Sequence, residues 1–404
     1  MEQFANYLFN KLTWLQWLPE AVFDLLVMLV FAALLLLGWV ALFAGITSWV
    51  ERRIAGRIQS RVGPNRVGPQ GFFQWLADGL KVFLKEDFIP AAADRKLFLI
   101  APYLVFGGFF AIFVAIPFGD NLIISDLNIG IFYILAISSL VVVGILMSGW
   151  ASNNKWSLLG GMRSAAQVIS YEIPISLALM PVVLLTGSLS MQSIISSQGV
   201  WPWQWYVCHN PFTFMACFIF FISSLAEGNR SPFDMPEAES ELVAGYNTEY
   251  SGMRFVFFFF AEWANLYVMA ALTVALFLGG WNSPISLNTT LFGLLGSPIN
   301  LAGPIVFVLK SFFLVFVIIW IRWTLPRLRV DHLMNMCWKY LVPFSFVGIV
   351  GTIIWMVFAD AVPATAYIRY PLFLIGCLIP VMILAKMVRN LKLAKSEIHL
   401  NPFV

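Results

Sequence analysis

Charge is scarce in this chain: only 11% of its 404 residues are Asp, Glu, Lys or Arg, against about 25% in soluble domains. Too few polar groups are present to cover a water-facing surface of this size. Cysteine is scarce as well. Cys208, Cys217, Cys337 and Cys377 stand singly with no Cys-x-x-Cys pair, and Cys208 beside His209 makes no metal site without further ligands. Gly-rich nucleotide loops, His-Glu-x-x-His and Gly-x-Ser-x-Gly are missing, so the nucleotide and hydrolytic chemistries they serve have no anchor here. Any redox or nucleotide chemistry that the chain serves is expected on a partner. The formal net charge of +3 gives no basic face for DNA or RNA.

What the chain has in excess is apolar bulk: 60% hydrophobic residues, 38 Phe and 16 Trp, with a mean hydropathy of +0.84. A membrane span needs about 20 mostly apolar residues. Segments near 24–49, 98–117, 131–150, 164–187, 212–226, 255–280, 302–323, 341–359 and 370–388 qualify, the fifth being short. The expected fold is an all-α polytopic bundle of about nine transmembrane helices. The first segment lacks a basic lead and is too long for a signal-peptide core, so it reads as an uncleaved span.

Lys and Arg set the orientation. The 50–97 loop carries Arg52, Arg53, Arg57, Arg61, Arg66, Lys81, Lys85, Arg95 and Lys96, while 118–130 carries none. Lys155 and Arg163 follow, then none in 188–211, then Arg230 and Arg254, none in 281–301, and then Arg322, Arg327, Arg329 and Lys339. The N-terminus is expected outside and the tail, with Arg389, Lys392 and Lys395, in the cytoplasm.

The first inward loop opens with Glu51, Arg52 and Arg53 and runs through Arg61 and Arg66 between two Gly-Pro steps, Gly63-Pro64 and Gly68-Pro69, which block helix continuation. Beyond it, Phe72, Phe73, Trp75, Leu76, Leu80, Phe83 and Leu84 recur with Gln74, Asp78, Lys81 and Lys85 on other faces. That is an amphipathic helix lying in the membrane interface. The loop reads either as a positive-inside anchor, or as an arginine surface that docks a soluble partner beside a lateral opening for a lipid-soluble substrate.

Acids near or within a membrane mark ion paths or polar sites by default. Glu227, Asp234, Glu237, Glu239 and Glu241 crowd between two apolar segments, with Arg230, Pro232 and Pro236 among them. The prolines oppose a continuous helix, and the glutamates alternate so that an extended strand would show them on one side. A re-entrant loop lining a wet cavity suits these features, and its crowded carboxylates would titrate together. At 1.5 Å per residue, Glu172 lies roughly 14 Å past Arg163 and Glu262 roughly 12 Å past Arg254. Each is either a neutral carboxyl bonded to a neighbouring helix or a member of a proton-active chain, and two at one depth beside the acidic loop favour the chain.

The motifs Glu51-Arg-Arg…Arg61-Val-Gly-Pro-Asn-Arg66-Val-Gly-Pro, Gly149-Trp-Ala-Ser-Asn-Asn-Lys155, Arg163-Ser-Ala-Ala-Gln-Val-Ile-Ser-Tyr-Glu172, the stretch from Ala226 to Gly252, and Arg327-Leu-Arg329-Val-Asp331 closely resemble the H subunit of bacterial respiratory complex I, the proton-pumping NADH:quinone oxidoreductase. The resemblance spans about residues 20–360. It implies an oxidoreductase subunit with no cofactor of its own, in the bacterial inner membrane. It implies a cavity that admits quinone, ubiquinone or menaquinone, toward the last iron–sulfur cluster. The clusters and FMN would lie on partner subunits. The implied partners are the soluble quinone-site and iron–sulfur subunits, small membrane subunits and antiporter-like subunits. The implied proton path maps onto Glu172, Glu227, Glu237, Glu239, Glu241 and Glu262. The implied quinone chamber and docking surface map onto Glu51, Arg52, Arg53, Arg61, Arg66, Arg230, Asp234 and Arg254.

The chain departs from that family in three ways. The 131–150 span contains no acid where some relatives carry one, the 188–211 loop with Trp201, Trp203 and Trp205 is long, and residues 361–404 add a span and a basic tail to the 1–360 domain. The alternative is the homologous membrane subunit of an ion-translocating hydrogenase or ferredoxin-linked complex. A self-sufficient transporter would call for inverted repeats, and the sequence shows none.

Overall fold

Continuous apolar stretches in a medium without water must satisfy their backbone internally, and helices do so within one segment. The computed structural model describes residues 20–120, 122–236, 239–283, 288–289, 299–300, 302–361, 367–368, 370–375 and 378. These residues form a helical bundle; its β pairing is confined to a two-residue ladder of Asn288–Thr289 with Ile299–Asn300 and a single bridge between Gly119 and Leu122.

The first helix, α1, is Glu20–Ile58, 39 residues or about 58 Å long at 1.5 Å per residue. A bilayer core of about 30 Å is covered by its apolar part, so its last turns carry Glu51, Arg52, Arg53 and Arg57 into the polar zone. Next come α2 (Gln74–Phe83), α3 (Arg95–Ile112), α4 (Gly130–Ala151), α5 (Lys155–Thr186), α6 (Pro211–Glu227), α7 (Gly252–Phe277) and α8 (Ala302–Thr324). Last, α9 (Val330–Met336) passes through a π-helical turn, Cys337–Leu341, into α10 (Val342–Ala361). The first eight expected spans thus fall on helices. Of the expected ninth, 370–388, residues 370–375 are helical, and most of the rest, with the basic tail and Cys377, lies outside the described residues.

Local signals set the helix ends. Asp94 accepts from the Lys96 and Leu97 amides, Asn154 from Trp156 and Asn210 from Thr213, each satisfying N–H groups that have no intrahelical partner. α6 begins with Pro211, whose missing N–H costs nothing at that position. Gly187, at φ 66°, ends α5 in the left-handed conformation.

α7 is the central element. From Ala261 to Phe277 nearly every side chain is buried, as expected of a helix apolar all round. The arginine-poor loops meet at one end, where the Ile131 amide donates to Leu189 O and Ser190 reaches Asp126. There Lys310, inside α8, donates to the carbonyls of Leu278 and Gly280 at 2.8 and 3.0 Å and lies 4.2 Å from the Trp205 ring centroid. It caps carbonyls past the end of α7 that have no helical partner. The arginine-rich loops meet at the opposite end.

At that end Gly160 of α5 rests on the Gly245 backbone; a Cβ on Gly160 would lie 2.7 Å from Gly245 Cα and 2.9 Å from Tyr246 N. Neither backbone atom can yield as a flexible side chain would. Gly160→Val is expected to destabilise the protein by about 1–3 kcal/mol, the cost of overpacking, read as a lowered midpoint of thermal unfolding in detergent. An unchanged midpoint would contradict this contact.

Candidate functional site

The overlong α1, the start of α7 and the end of α8 bring opposite charges together at the arginine-rich end. Glu51 is buried, and its Oε1 accepts a 2.6 Å hydrogen bond from Arg322. Its Oε2 lies 4.0 Å from Arg230, whose Nε is 3.3 Å from Glu262 Oε1. The Arg230 guanidinium sits 4.6 Å from the Trp263 ring centroid, a cation–π contact that strengthens as water is excluded. Two carboxylates and two guanidinium groups thus balance. Desolvating each ion costs several kcal/mol, and only a network of this kind offsets it.

The cluster lines a cavity of about 330 Å³ with Ser48, Arg52, Arg61, Phe255, Phe259 and Trp323 also at its wall. Ser48, Arg52, Phe255 and Phe259 belong equally to a second, apolar cavity of about 660 Å³ between α1, α2 and α7, walled by Ala44, Trp75, Leu80, Phe83 and Phe260. A largely apolar cavity, with Asp78 and Lys81 also in its lining, therefore adjoins a charged one, both in the size range of ligand sites. Along α2, Phe73, Leu76, Leu80, Phe83 and Leu84 are exposed at spacings that share one face, the membrane-facing stripe its amphipathic pattern predicts.

Arg52 bonds Asp78 at 2.5 Å and ties α2 to α1; Gln74 donates to the same carboxyl at 3.1 Å. Burial by itself would raise the Asp78 carboxyl, but the hydrogen bonds from Arg52 and Gln74 and the charges of Arg52 and Lys81 hold it below its ordinary value.

The acidic loop is buried as expected, with Pro232, Phe233, Met235 and Pro236 inside. Gln167 of α5 pins it by donating to Ala226 O and Phe233 O, both at 2.7 Å, and Asn265 of α7 donates to Glu227 O at 3.2 Å. The backbone is irregular over 228–236 and forms one helical turn at Glu239–Leu242, so the extended alternation of glutamates is not what it adopts. Glu237 lies outside the described residues, and of Glu239 only the backbone is described.

The other predicted residues separate into groups. Glu227 and Glu262 share a small cavity of about 30 Å³ with Asn265 and Ser138, and Glu227 also interacts with the charge of Glu172. Glu241 stands apart: it is half exposed and pairs with Arg163 at 2.6 Å and Arg327 at 3.7 Å. The Arg163 hydrogen bond holds its carboxyl below the ordinary value. Arg254 pairs with Asp87 at 3.1 Å and so staples the 85–94 segment to α7. Arg53 donates to Gln70 at 2.8 Å, while Arg66 is exposed and Asp234 half-buried in its loop. The sequence does not single out Arg322, Trp263, Ser138 or Lys310. Arg322 carries only an orientation signal there, and a lone lysine inside the eighth apolar segment is the one available signal for Lys310.

These features define an all-α polytopic membrane protein with a largely apolar cavity beside a buried charged one. The family model described as NADH dehydrogenase matches residues 31–353. The chain is 55% identical over 364 residues to the H subunit of the NADH-quinone oxidoreductase of Anaeromyxobacter dehalogenans, covering 88% of each chain. It is 49% identical over 340 residues to that of Chlorobaculum tepidum, covering 81% of this chain and 92% of the relative, and 47% identical over 319 residues to that of Dehalococcoides mccartyi, covering 79% and 84%. The chain belongs to this NADH dehydrogenase family, as an H-type membrane subunit of NADH-quinone oxidoreductase. None of these relatives is named as part of a hydrogenase.

Because the Asp78 carboxyl is depressed in the folded state, its contribution to the α1–α2 clamp is complete above the ordinary Asp value and lost as pH falls through the depressed one. Spin labels at Gln59→Cys and Lys85→Cys are expected to hold one distance from pH 8 to pH 5 and to spread only in stronger acid. Asp78→Asn is expected to spread it at neutral pH. A wild-type distance that changes between pH 7 and pH 5 would contradict the clamp.

Proposed function

We propose that the two joined cavities form the quinone chamber of the complex and that the buried glutamates begin its proton path. The observation that carries this reading is the shared wall of Ser48, Arg52, Phe255 and Phe259, an apolar passage that ends among Glu51, Arg230, Glu262 and Arg322. An isoprenoid quinone has matching halves, a lipid-soluble tail and a head whose reduction consumes two electrons and two protons. The electrons come from iron–sulfur subunits of the soluble arm, and this chain holds the head among charges.

Arg230 and Arg322 favour added negative charge in the chamber, and the carboxylates beside them respond to it. Glu262 faces both the chamber and the small cavity that reaches Glu227, so a change in its proton occupancy is felt at Glu227 and, through charge, at Glu172. The arginine-rich end is the cytoplasmic face, where Arg57, Arg61, Arg66 and the Glu241 ion pairs meet the soluble arm. Within the appended segment 361–404, Phe373 meets Trp203 of the 188–211 loop at 6.0 Å between ring centroids, which supports a packing role for that segment.

Glu262→Gln and Glu172→Gln are each expected to lower proton pumping and quinone reduction together, at least several-fold, in a complex that still assembles. Full coupled activity of either purified variant would remove that residue from the path. Ala44→Trp, which fills the apolar passage, is expected to raise KM several-fold more for a long-tailed quinone than for a short-tailed one. Equal effects on both would count against entry between α1, α2 and α7.

A further inference from the structure

α4 contributes no acid to the glutamate path, yet it packs beside it. Its Ser138 is 5% exposed and lines two separate small cavities, each of which Glu227 also lines. The first, about 30 Å³, opens toward Glu262 and Asn265 of α7 and toward Asn229. The second, about 20 Å³, is walled by Ile175 and Leu179 of α5, Phe220 of α6 and Val268, Met269 and Leu272 of α7, with Ser138 and Glu227 its polar lining residues. Each has room for one or two waters, at about 10–15 Å³ apiece.

The Ser138 hydroxyl has two acceptors within reach, the Leu135 carbonyl at 2.9 Å and the Glu227 carboxylate. One hydroxyl carries one proton and two lone pairs. It donates to the carboxylate when Glu227 is ionised. When Glu227 is protonated, the hydroxyl turns to Leu135 O and accepts from the carboxyl instead. Either protonation state therefore keeps a partner, which Ala or Gly in this place would deny it. The charged groups around Glu227 are Glu172 from α5 and Glu262 from α7, the latter paired with Arg230 of the loop; the residues of α3 and α4 that line these cavities are uncharged.

We propose that Ser138 is a positioning residue that holds the Glu227 carboxyl at the junction of the two small cavities and lets it exchange its proton with either side, in place of an acid on α4. The inference rests on the glutamate-path reading above. It requires the hydroxyl rather than the volume, because Ala or Cys would fill nearly the same space.

The test uses the whole purified complex in sealed vesicles, comparing Ser138→Ala, Ser138→Thr and Glu227→Gln. Three readouts are followed: electron transfer from NADH to a water-soluble acceptor that bypasses quinone, the number of protons pumped per quinone reduced, and the pH profile of quinone reduction. Ser138→Ala is expected to leave the bypass rate unchanged. It is expected to slow coupled quinone reduction about tenfold, the scale of one hydrogen bond to a charged group, and to displace the pH profile by about one unit. Ser138→Thr, which keeps the hydroxyl, is expected to restore both. A Ser138→Ala complex with wild-type coupling and profile, while Glu227→Gln has lost both, overturns the role of Ser138 and leaves the path standing. An equal loss in Ser138→Ala and Ser138→Thr overturns it too, since packing would then be at fault. Full coupling in Glu227→Gln overturns the path itself and this inference with it.

Discussion

Arg230 held between two carboxylates is the interaction on which the charged end of this protein depends. It faces Glu51 from α1 and Glu262 from α7, and Glu51 is in turn held by Arg322 from α8. Three helices far apart in sequence are thereby joined at the chamber by charges that have lost most of their water. Removing one member leaves its partner buried and uncompensated, at a typical cost of about 3–5 kcal/mol. Replacing the whole cluster by apolar side chains need not destabilise the fold at all. Stability alone therefore does not account for a buried charge cluster beside an apolar cavity; the quinone head proposed above would.

The surrounding structure serves that cluster. The length of α1 carries Glu51 beyond its apolar stretch, the loop after α6 turns back into the bundle to deliver Arg230, and Gln167 and Asn265 pin the loop through its carbonyls. Glycines at 160 and 245 let the loop backbone lie against α5. At the other end Lys310, with Gln198 and Asn282, ties the long 188–211 loop to the end of α7. α7 is thus fixed at both ends, and Glu262 sits at its chamber end with few degrees of freedom.

Much of this was legible in the sequence. Eight apolar segments became helices because lipid leaves the backbone no other partner. The Lys and Arg alternation correctly sorted the loops into two ends, and the Phe73-to-Leu84 pattern correctly placed an amphipathic helix with an exposed apolar face. Pro232 and Pro236 announced an irregular loop, and its burial followed from its acids. Other features lay beyond reach. The Glu51–Arg322 pair joins residues 271 positions apart, and no local pattern encodes such a partner. Ser138 looks like one more small residue in an apolar span until two cavities are seen to meet at it. Glu241 reads like its neighbours in the acidic run, yet it faces Arg163 and Arg327 at the surface, because a single helical turn there replaces the extended chain that alternation suggested.

On the function proposed above, quinone enters between α1, α2 and α7 and ends at the Arg230 cluster. A photoreactive quinone analogue, activated in the assembled complex with and without excess natural quinone, tests it most directly. Label is expected on peptides containing Ala44, Trp75 and Phe259, lost under competition. Competed label confined to α10 or the 188–211 loop, with none on those three peptides, would overturn that entry route.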